Sequence, residues 1–282
     1  DDPPLAAVAA ALVRAGAAFV RVGADTSDAA LDWRCDGGIS GALTVGGRRI
    51  DLGEVRSMYL RPAPAIAGAP DALDRALYTF AEVADARVLS RPSAMAANHA
   101  KPYQLAQLEA LGFAVPETLV TTDAEAARAF VARHREVIYK SVSGVRSRVA
   151  RVGEAQIARL DDLRWCPTQL QRRVAGRDVR VHVVGEAVFA CEVLSCADDY
   201  RYPGAGDAPT RLRSVKLPAE VAGRCRAASR ALGLPLAGVD LRRGDDGRWY
   251  AFEVNPSPAF TCFEVDDARP IAAAVARWLA AP

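Results

Sequence analysis

Three oxygen-bearing side chains near the C-terminus have the types and spacing to hold a divalent cation. The segment "YAFEVNPSPAF" (250–260) puts Glu253 and Asn255 two positions apart in an apolar strand that stops on two prolines. A charge in a strand of this kind is costly unless something pairs it. The residues just before complete a hairpin: "LAGVDLRRGDDGRWYAFEVNP" reads as two strands around a Gly-Asp-Asp-Gly turn. A symmetric turn sets Asp240 opposite Ala251. Side chains alternate along a strand, so Ala251, Glu253 and Asn255 then share the face of Asp240. Two carboxylates about 5 Å apart repel by roughly 3 kcal/mol at an effective dielectric near 20. A hard cation removes that repulsion. Magnesium takes one or two carboxylates and completes its octahedron with phosphate oxygens and water, and an amide oxygen fits the same set. Asp240, Glu253 and Asn255 are therefore candidate metal ligands. The competing reading is structural: the two acids pair with Arg242 or Arg248.

A nucleotide would supply the phosphates, and two further stretches could receive one. The chain has neither GxxxxGK(S/T) nor a GxGxxG after a strand. It does have "VIYKSVSGVRSR", in which Lys140 ends an apolar strand and Ser141, Ser143 and Gly144 make a small loop rich in backbone N–H groups. Such a loop can fold over a polyphosphate while the ammonium meets its charge. Lysine stands only at 101, 140 and 216 in a chain rich in arginine, so each retained lysine marks a position suited to a compact ammonium. In "TQLQRRVAGRDVRV", an extended backbone offers donors and acceptors to an adenine edge. Val174 could pack on the ring, Gln171 lies beside it, and Asp178 could accept from ribose hydroxyls past the turn at Gly176. The structural alternative for Asp178 is an ion pair with Arg177 or Arg180.

The elements that must position these groups can be read from periodicity and turn residues. Residues 5–16 read as a core-facing helix, 19–22 as a strand, and "GGISGALTVGGRRIDL" as a hairpin about Gly46-Gly47. A short strand "SMYLRP" stops at Pro62, and a long helical pattern covers 71–87. A second block begins with the helix "KPYQLAQLEALG" and its terminal Gly112. The strand "VPETLVT" leads to Asp123, which caps a helix over 124–134, and the strand "EVIYKS" and the strand "RVARV" flank the Ser/Gly loop. The last block is strand-rich, with a helix over 218–233 and a closing helix over 267–281. This order predicts an α+β (mixed α/β) architecture. The division is an N-terminal α/β domain over 1–92, which can lack its first strand, a central subdomain over 93–166, and a C-terminal subdomain over 167–282.

Composition narrows the partners. The chain has 282 residues, 51% hydrophobic and 25% charged, with formal net charge +2. That is an ordinary globular balance, with no electrostatic case for nucleic acid or an anionic membrane surface. The apolar N-terminal stretch is interrupted by Arg14 and too short to span a bilayer. None of the six cysteines forms a CxxC, so they read as buried free thiols of a reducing cytoplasm. His99 reads as a helix-start residue, His134 as a helix-end residue complementing the dipole, and His182 as packed or paired in a strand. No covalent nucleophile is legible.

Taken together, these segments resemble the ATP-grasp superfamily, in particular its RimK-like glutamate-ligase and glutathione-synthetase branch. The resemblance spans about residues 93–265. Lys101 and Lys140 stand where the family has its ATP-contacting lysines, "QRRVAGRDVRV" resembles the hinge, and "GVDLRRGDDGRWYAFEVNPSP" resembles the metal-binding strand pair. The tail "EVNPSPAFTCFEVDDARPIAAAVARWL" also looks like the graspetide macrocyclases, which crosslink ribosomal peptides. Two features depart from the better-known ligases. Arg172 follows the hinge glutamine where many have an acid, and "YRYPGAGDAPTRLRSVK" replaces the glutamate ligases' substrate-side stretch.

The resemblance implies an ATP-grasp fold holding ATP and Mg2+, with Mn2+ as a substitute, between two subdomains. It implies an ADP-forming carboxylate–amine ligase working through an acylphosphate on an amino acid, a peptide or a protein terminus. Lys101 and Lys140 would hold the α and β phosphates. Gln171, Val174 and Asp178 would receive adenosine. Arg180 would stabilise the transferring phosphoryl or the substrate carboxylate. Arg201, Arg213 and Lys216 are candidates for a substrate carboxylate. A graspetide-type macrocyclase, a kinase and a non-catalytic nucleotide-binding protein are the alternatives, and a homodimer stays open.

Overall fold

The computed structural model describes residues 2–23, 28–61, 72–142, 149–195, 209–265 and 268–281. Helix α1 (Pro3–Arg14) is started by Asp2, whose side chain accepts from Leu5 N, and by proline in its first turn. Three antiparallel strands follow: β1 (Ala30–Cys35), β2 (Ile39–Val45) and β3 (Arg48–Asp51). The β2–β3 turn rests on Gly46 and Gly47, at φ 57° and 71°, the left-handed pair that a two-residue hairpin requires. The expected strand over 19–22 is not formed. Phe19 and Val20 are exposed there, and no described strand pairs with them.

Next come β4 (Ser57–Tyr59), α2 (Ala72–Val83) and β5 (Arg87–Leu89), with β5 parallel to β4. The helical pattern expected to reach residue 87 ends at Val83. Arg91 explains the stop: its guanidinium donates to the carbonyls of Ala81, Glu82, Ala84 and Ala86 at 2.5–3.0 Å, closing the helix end and turning the chain. The short α3 (Pro92–Met95) then leads into α4 (Lys101–Ala110).

The central sheet is built from β6 (Thr118–Thr121), β7 (Val137–Ser141), β8 (Ala150–Arg151) and β9 (Thr168–Arg172), in the order β6-β9-β7-β8. Helix α5 (Ala124–Arg133) starts at Asp123, which accepts from Glu125 N at 2.9 Å. It packs Ala127 and Phe130 against Val137 and Leu170. Residues alternate in β9, so Gln169 and Gln171 lie on the face turned away from α5. Lys140 stands directly across from Gln169. The short α6 (Glu154–Ile157) lies between β8 and β9.

The remaining strands form an antiparallel sheet: β10 (Gly176–Val184), β11 (Ala187–Leu194), β12 (Arg211–Val215), β13 (Leu236–Gly244) and β14 (Trp249–Asn255), ordered β12-β11-β10-β13-β14. Helix α7 (Ala219–Ala231) covers one face, packing Val221, Cys225 and Ala228 on Val179, Val181, Val183, Val239 and Leu241. Helix α8 (Pro270–Ala280) covers only one end of the other face. It packs there with α1, Val184 and Leu236, so the first and last helices share one core.

Directly paired residues of β10 and β13 grade that second face from polar to apolar. Asp178 faces Arg242, Arg180 faces Asp240, His182 faces Gly238, and Val184 faces Leu236. The odd-numbered valines of β10 lie beneath α7, as a period of two requires.

The β13–β14 hairpin departs from the symmetric register. Leu241 pairs with Ala251, but the next pair is Asp240 with Glu253, so Phe252 is an extra residue in a β-bulge. Asp240 therefore stands opposite Glu253 rather than Ala251. Ala251 lies in the α7 core, not on the face of Asp240.

Candidate functional site

The bulge brings the two carboxylates to one rung of the sheet, and each meets a cation from another element. Asp240 Oδ1 accepts from Arg180 Nη1 at 2.5 Å. Glu253 Oε2 accepts from Lys101 Nζ at 3.1 Å. Lys101 begins α4, and its side chain is only 2% exposed against 15% for Glu253. Arg242, which could have neutralised these acids, turns instead to Asp178 with two bonds of 2.7 and 2.8 Å. Asp178 is thus paired across the sheet with Arg242, not along its own strand with Arg177 or Arg180. A third bond from Arg242, to Val174 O at 2.7 Å, ties the segment between β9 and β10 to the same guanidinium.

Gly238 makes room for Arg180. A Cβ at that position would lie 2.3 Å from Arg180 Nη2 and 2.8 Å from Pro258 Cβ, too close for any side chain. Asn255, paired with Gly238, completes the row below Glu253. Its Oδ1 accepts from Ser257 N at 2.9 Å, which turns the chain sharply after β14.

Asp240, Glu253 and Asn255 fit magnesium. They share one face of the neighbouring strands β13 and β14, and every donor atom is a hard oxygen. Two carboxylates and an amide leave positions for phosphate oxygens and water. Among the described residues no group of three His, Cys, Asp and Glu side chains could hold a metal alone. A cation here would depend on oxygens that a ligand brings. The partners Arg180 and Lys101 balance the two acids and are themselves suited to phosphate oxygens.

Lys140 and Gln171 are buried on the face of the central sheet that turns away from α5. Gln171 Nε2 donates to Thr118 Oγ1 at 2.8 Å, while its Oε1 is buried with no hydrogen-bond partner among the described residues. Val174 is buried beside them in sequence, between Arg172 and Asp178. Ser141 closes β7 through its pairing with Thr168. Ser143, Gly144 and Arg201 lie outside the described residues.

Two expected substrate contacts are not brought to this site. Arg213 stands across from Glu192 on the α7 side of the sheet and forms an ion pair with it. Lys216 lines an open groove of about 560 Å3 with Val188, Ala190 and Leu217 and with Ala222 and Arg226 of α7.

Gln104 was not among the sequence-derived candidates. It is fully buried, and its amide exchanges both bonds with the backbone of Val254, Nε2 to O at 2.8 Å and N to Oε1 at 3.1 Å. The side chain thus acts as a strand partner that fixes α4, and with it Lys101, onto β14. Its position one turn after Lys101 is the only local signal for it. His182 is packed, as its position suggested, with ring centroids 5.2 Å from Phe263 and 6.4 Å from Phe260. Burial and the nearby Arg180 hold its imidazole well below the ordinary histidine range. The five described cysteines are free thiols, but Cys35, Cys166 and Cys262 are exposed rather than buried.

No protein-family model matches the chain, and no curated protein does. Solved structures do. The macrocyclase MdnC from Microcystis aeruginosa MRC, bound with precursor peptide MdnA, superposes with a TM-score of 0.83 at 19% identity, covering 100% of this chain and 97% of its own. A Chryseobacterium gregarium RiPP-associated ATP-grasp ligase, in complex with ADP and a leader and core peptide, gives 0.81 at 22% identity over 98% and 92%. The ATP-grasp ligase PsnB, complexed with a phosphomimetic variant of a minimal precursor, Mg and ADP, gives 0.78 at 27% identity over 99% and 96%.

Proposed function

The chain has the ATP-grasp fold, and from that premise we propose an ATP-dependent ligase that activates a peptide carboxylate as an acylphosphate and passes it to a nucleophile, releasing ADP and phosphate. The observation that carries this reading is the rung of Asp240 and Glu253, with Arg180 and Lys101 in contact and Asn255 beside them.

In this reading Lys101 and Lys140 meet the phosphates, with Ser141, Ser143 and Gly144 covering them through backbone N–H groups. Gln171 and Val174 border the base. Arg242 holds the Asp178 carboxylate toward the ribose and keeps the connecting segment in place. Asp240, Glu253 and Asn255 hold magnesium, which when bound supplies Lewis-acid stabilisation of the charge developing on the β and γ phosphates.

A carboxylate oxygen attacks the γ-phosphorus, the bond to the β–γ bridging oxygen breaks, and ADP leaves. An amine then attacks the acyl carbon and loses a proton, and phosphate departs as the amide forms. Arg180 presents a planar fork to the transferring group from a fixed seat over Gly238. Arg213 is already paired with Glu192 on the α7 side, so Arg180 is the described cation we propose for the substrate carboxylate.

The peptide-bound relatives favour a second form of the same chemistry, in which carboxylate and nucleophile belong to one ribosomal peptide. A screen of ADP release over amino acids, short peptides and any small peptide encoded beside the gene, read by mass spectrometry, tests both. Loss of one water from a single peptide is expected for the crosslinking form, and a joined pair of substrates for the intermolecular one. A stable phosphorylated product would replace ligation with phosphoryl transfer to an alcohol, and absence of ADP release from every substrate would sink both.

A further inference from the structure

Among the described residues, Arg61 carries the N-terminal part of the chain to the turn beside the proposed metal site. Arg61 follows β4 by two residues. Its Nη1 donates to Ser257 Oγ at 3.2 Å and to Pro258 O at 3.0 Å. Its Nε lies 2.9 Å from Asp2 Oδ1, an ion contact whose angle falls short of a hydrogen bond. The Arg61 side chain is 11% exposed, so the guanidinium is held rather than free to sample solvent. Ser257 is the residue whose N–H donates to Asn255 Oδ1. A continuous set of contacts therefore runs from Asp2 through Arg61 and Ser257 to the amide of Asn255.

The opposite side of the same turn is also fixed. Pro258 packs where a Cβ of Gly238 would be, beside the guanidinium of Arg180. The turn after β14 thus sits between two arginines, one from β10 and one from beyond β4. Asn255 has a single oxygen to offer a cation. Its usefulness depends on how the amide is held, and the Ser257 N–H fixes that oxygen only while the turn keeps its shape.

We propose that Arg61 is a positioning residue for the metal ligand Asn255, acting through Ser257 and Pro258. The assignment rests on the magnesium reading above. A planar fork with two acceptors in reach is the group that suits this seat, and a lysine ammonium would satisfy fewer of the contacts at once. Groups that orient a ligand from behind commonly change metal affinity by 10–100-fold when replaced.

The test is the ADP affinity of the full chain, measured by calorimetry across a magnesium series, for wild type, Arg61→Lys and Ser257→Ala. In Arg61→Lys the magnesium concentration that half-saturates the gain in ADP affinity rises about 10-fold, while ADP affinity without magnesium stays at the wild-type value. Ser257→Ala shifts the same midpoint in the same direction by less, since the bond to Pro258 O survives. It also leaves the Arg61–Asp2 contact untouched, so it decides the matter should Arg61→Lys fail to fold. Wild-type magnesium midpoints in the folded variants would overturn the proposal. A wild-type protein that binds ADP with no magnesium dependence would instead overturn the metal reading itself, and this inference with it.

Discussion

Glu253 and Lys101 form a pair that is nearly closed to water on the lysine side. Removing one member of such a pair leaves the other charge buried and uncompensated, which costs about 3–5 kcal/mol. Glu253→Gln is therefore expected to abolish magnesium-dependent ATP turnover and also to lower the denaturation midpoint. The double variant Lys101→Met with Glu253→Gln should recover most of the lost stability without recovering turnover. Retained turnover in the single variant would remove Glu253 from the metal site. His182 makes a second prediction. In the fold its imidazole stays neutral well below the usual range, because burial and Arg180 disfavour the charged form. In the unfolded chain it takes up a proton below pH about 6.5. The unfolded state then binds the extra proton, so this residue draws stability down as pH falls through 6.5, by up to about 1.4 kcal/mol per unit. Urea denaturation of His182→Leu and wild type at pH 8 and pH 5 should show the variant gaining relative stability at the acid end. An unchanged difference between the two pH values would contradict it.

At the scale of elements, Gln104 does for β14 what a neighbouring strand would do. Gln104→Ala leaves a buried N–H and a buried C=O of Val254 without partners, at about 1–3 kcal/mol each. The expected result is a loss of about 2–6 kcal/mol in chemical denaturation, together with weakened ADP binding as Lys101 loses its anchor; a loss under about 1 kcal/mol would show that α4 is held by other contacts. Gln104 also marks where reading the sequence stops. The alternation in "RDVRVHVV" sorts core from site without any structure, because apolar residues beneath α7 and polar residues on the other face alternate through Val183, although both faces are buried from Val179 onward. The Asp123 cap, the Gly46-Gly47 turn and the acidic hairpin were legible for similar local reasons. The bulge at Phe252 was not, since it shifts the pairing partway along a hairpin whose turn gives no sign of it. Nor were Gln104–Val254, Arg242–Val174 and Arg61–Ser257, which join residues separated by 150, 68 and 196 positions. Where Arg213 and Lys216 lie was not legible for a related reason: strand parity puts Arg213 on the α7 side, and a positive charge in sequence carries no sign of which face it takes.

Across the whole molecule, ligand binding and folding should be coupled. At about 100 times its dissociation constant, a ligand that binds only the folded state stabilises it by about 2.7 kcal/mol. Magnesium with ADP is therefore expected to raise the melting temperature by several degrees, and magnesium alone by much less, because two carboxylates and an amide make an incomplete site. Equal shifts with and without nucleotide would separate the cation from the phosphates. No described helix is long and apolar enough to cross a membrane. The chain passes between its two large sheets at residues 173–175, and it enters the central sheet beside that crossing, where Glu117 O accepts from Arg172 N and Ala114 bridges Tyr250. Two neighbouring passes of backbone thus join the two sheets. A rotation about those passes on nucleotide binding would carry α5 and β8 relative to α7 while every strand register on either side survived. Spectroscopic labels on α5 and α7 could then report nucleotide arrival as a change in separation even where circular dichroism recorded nothing.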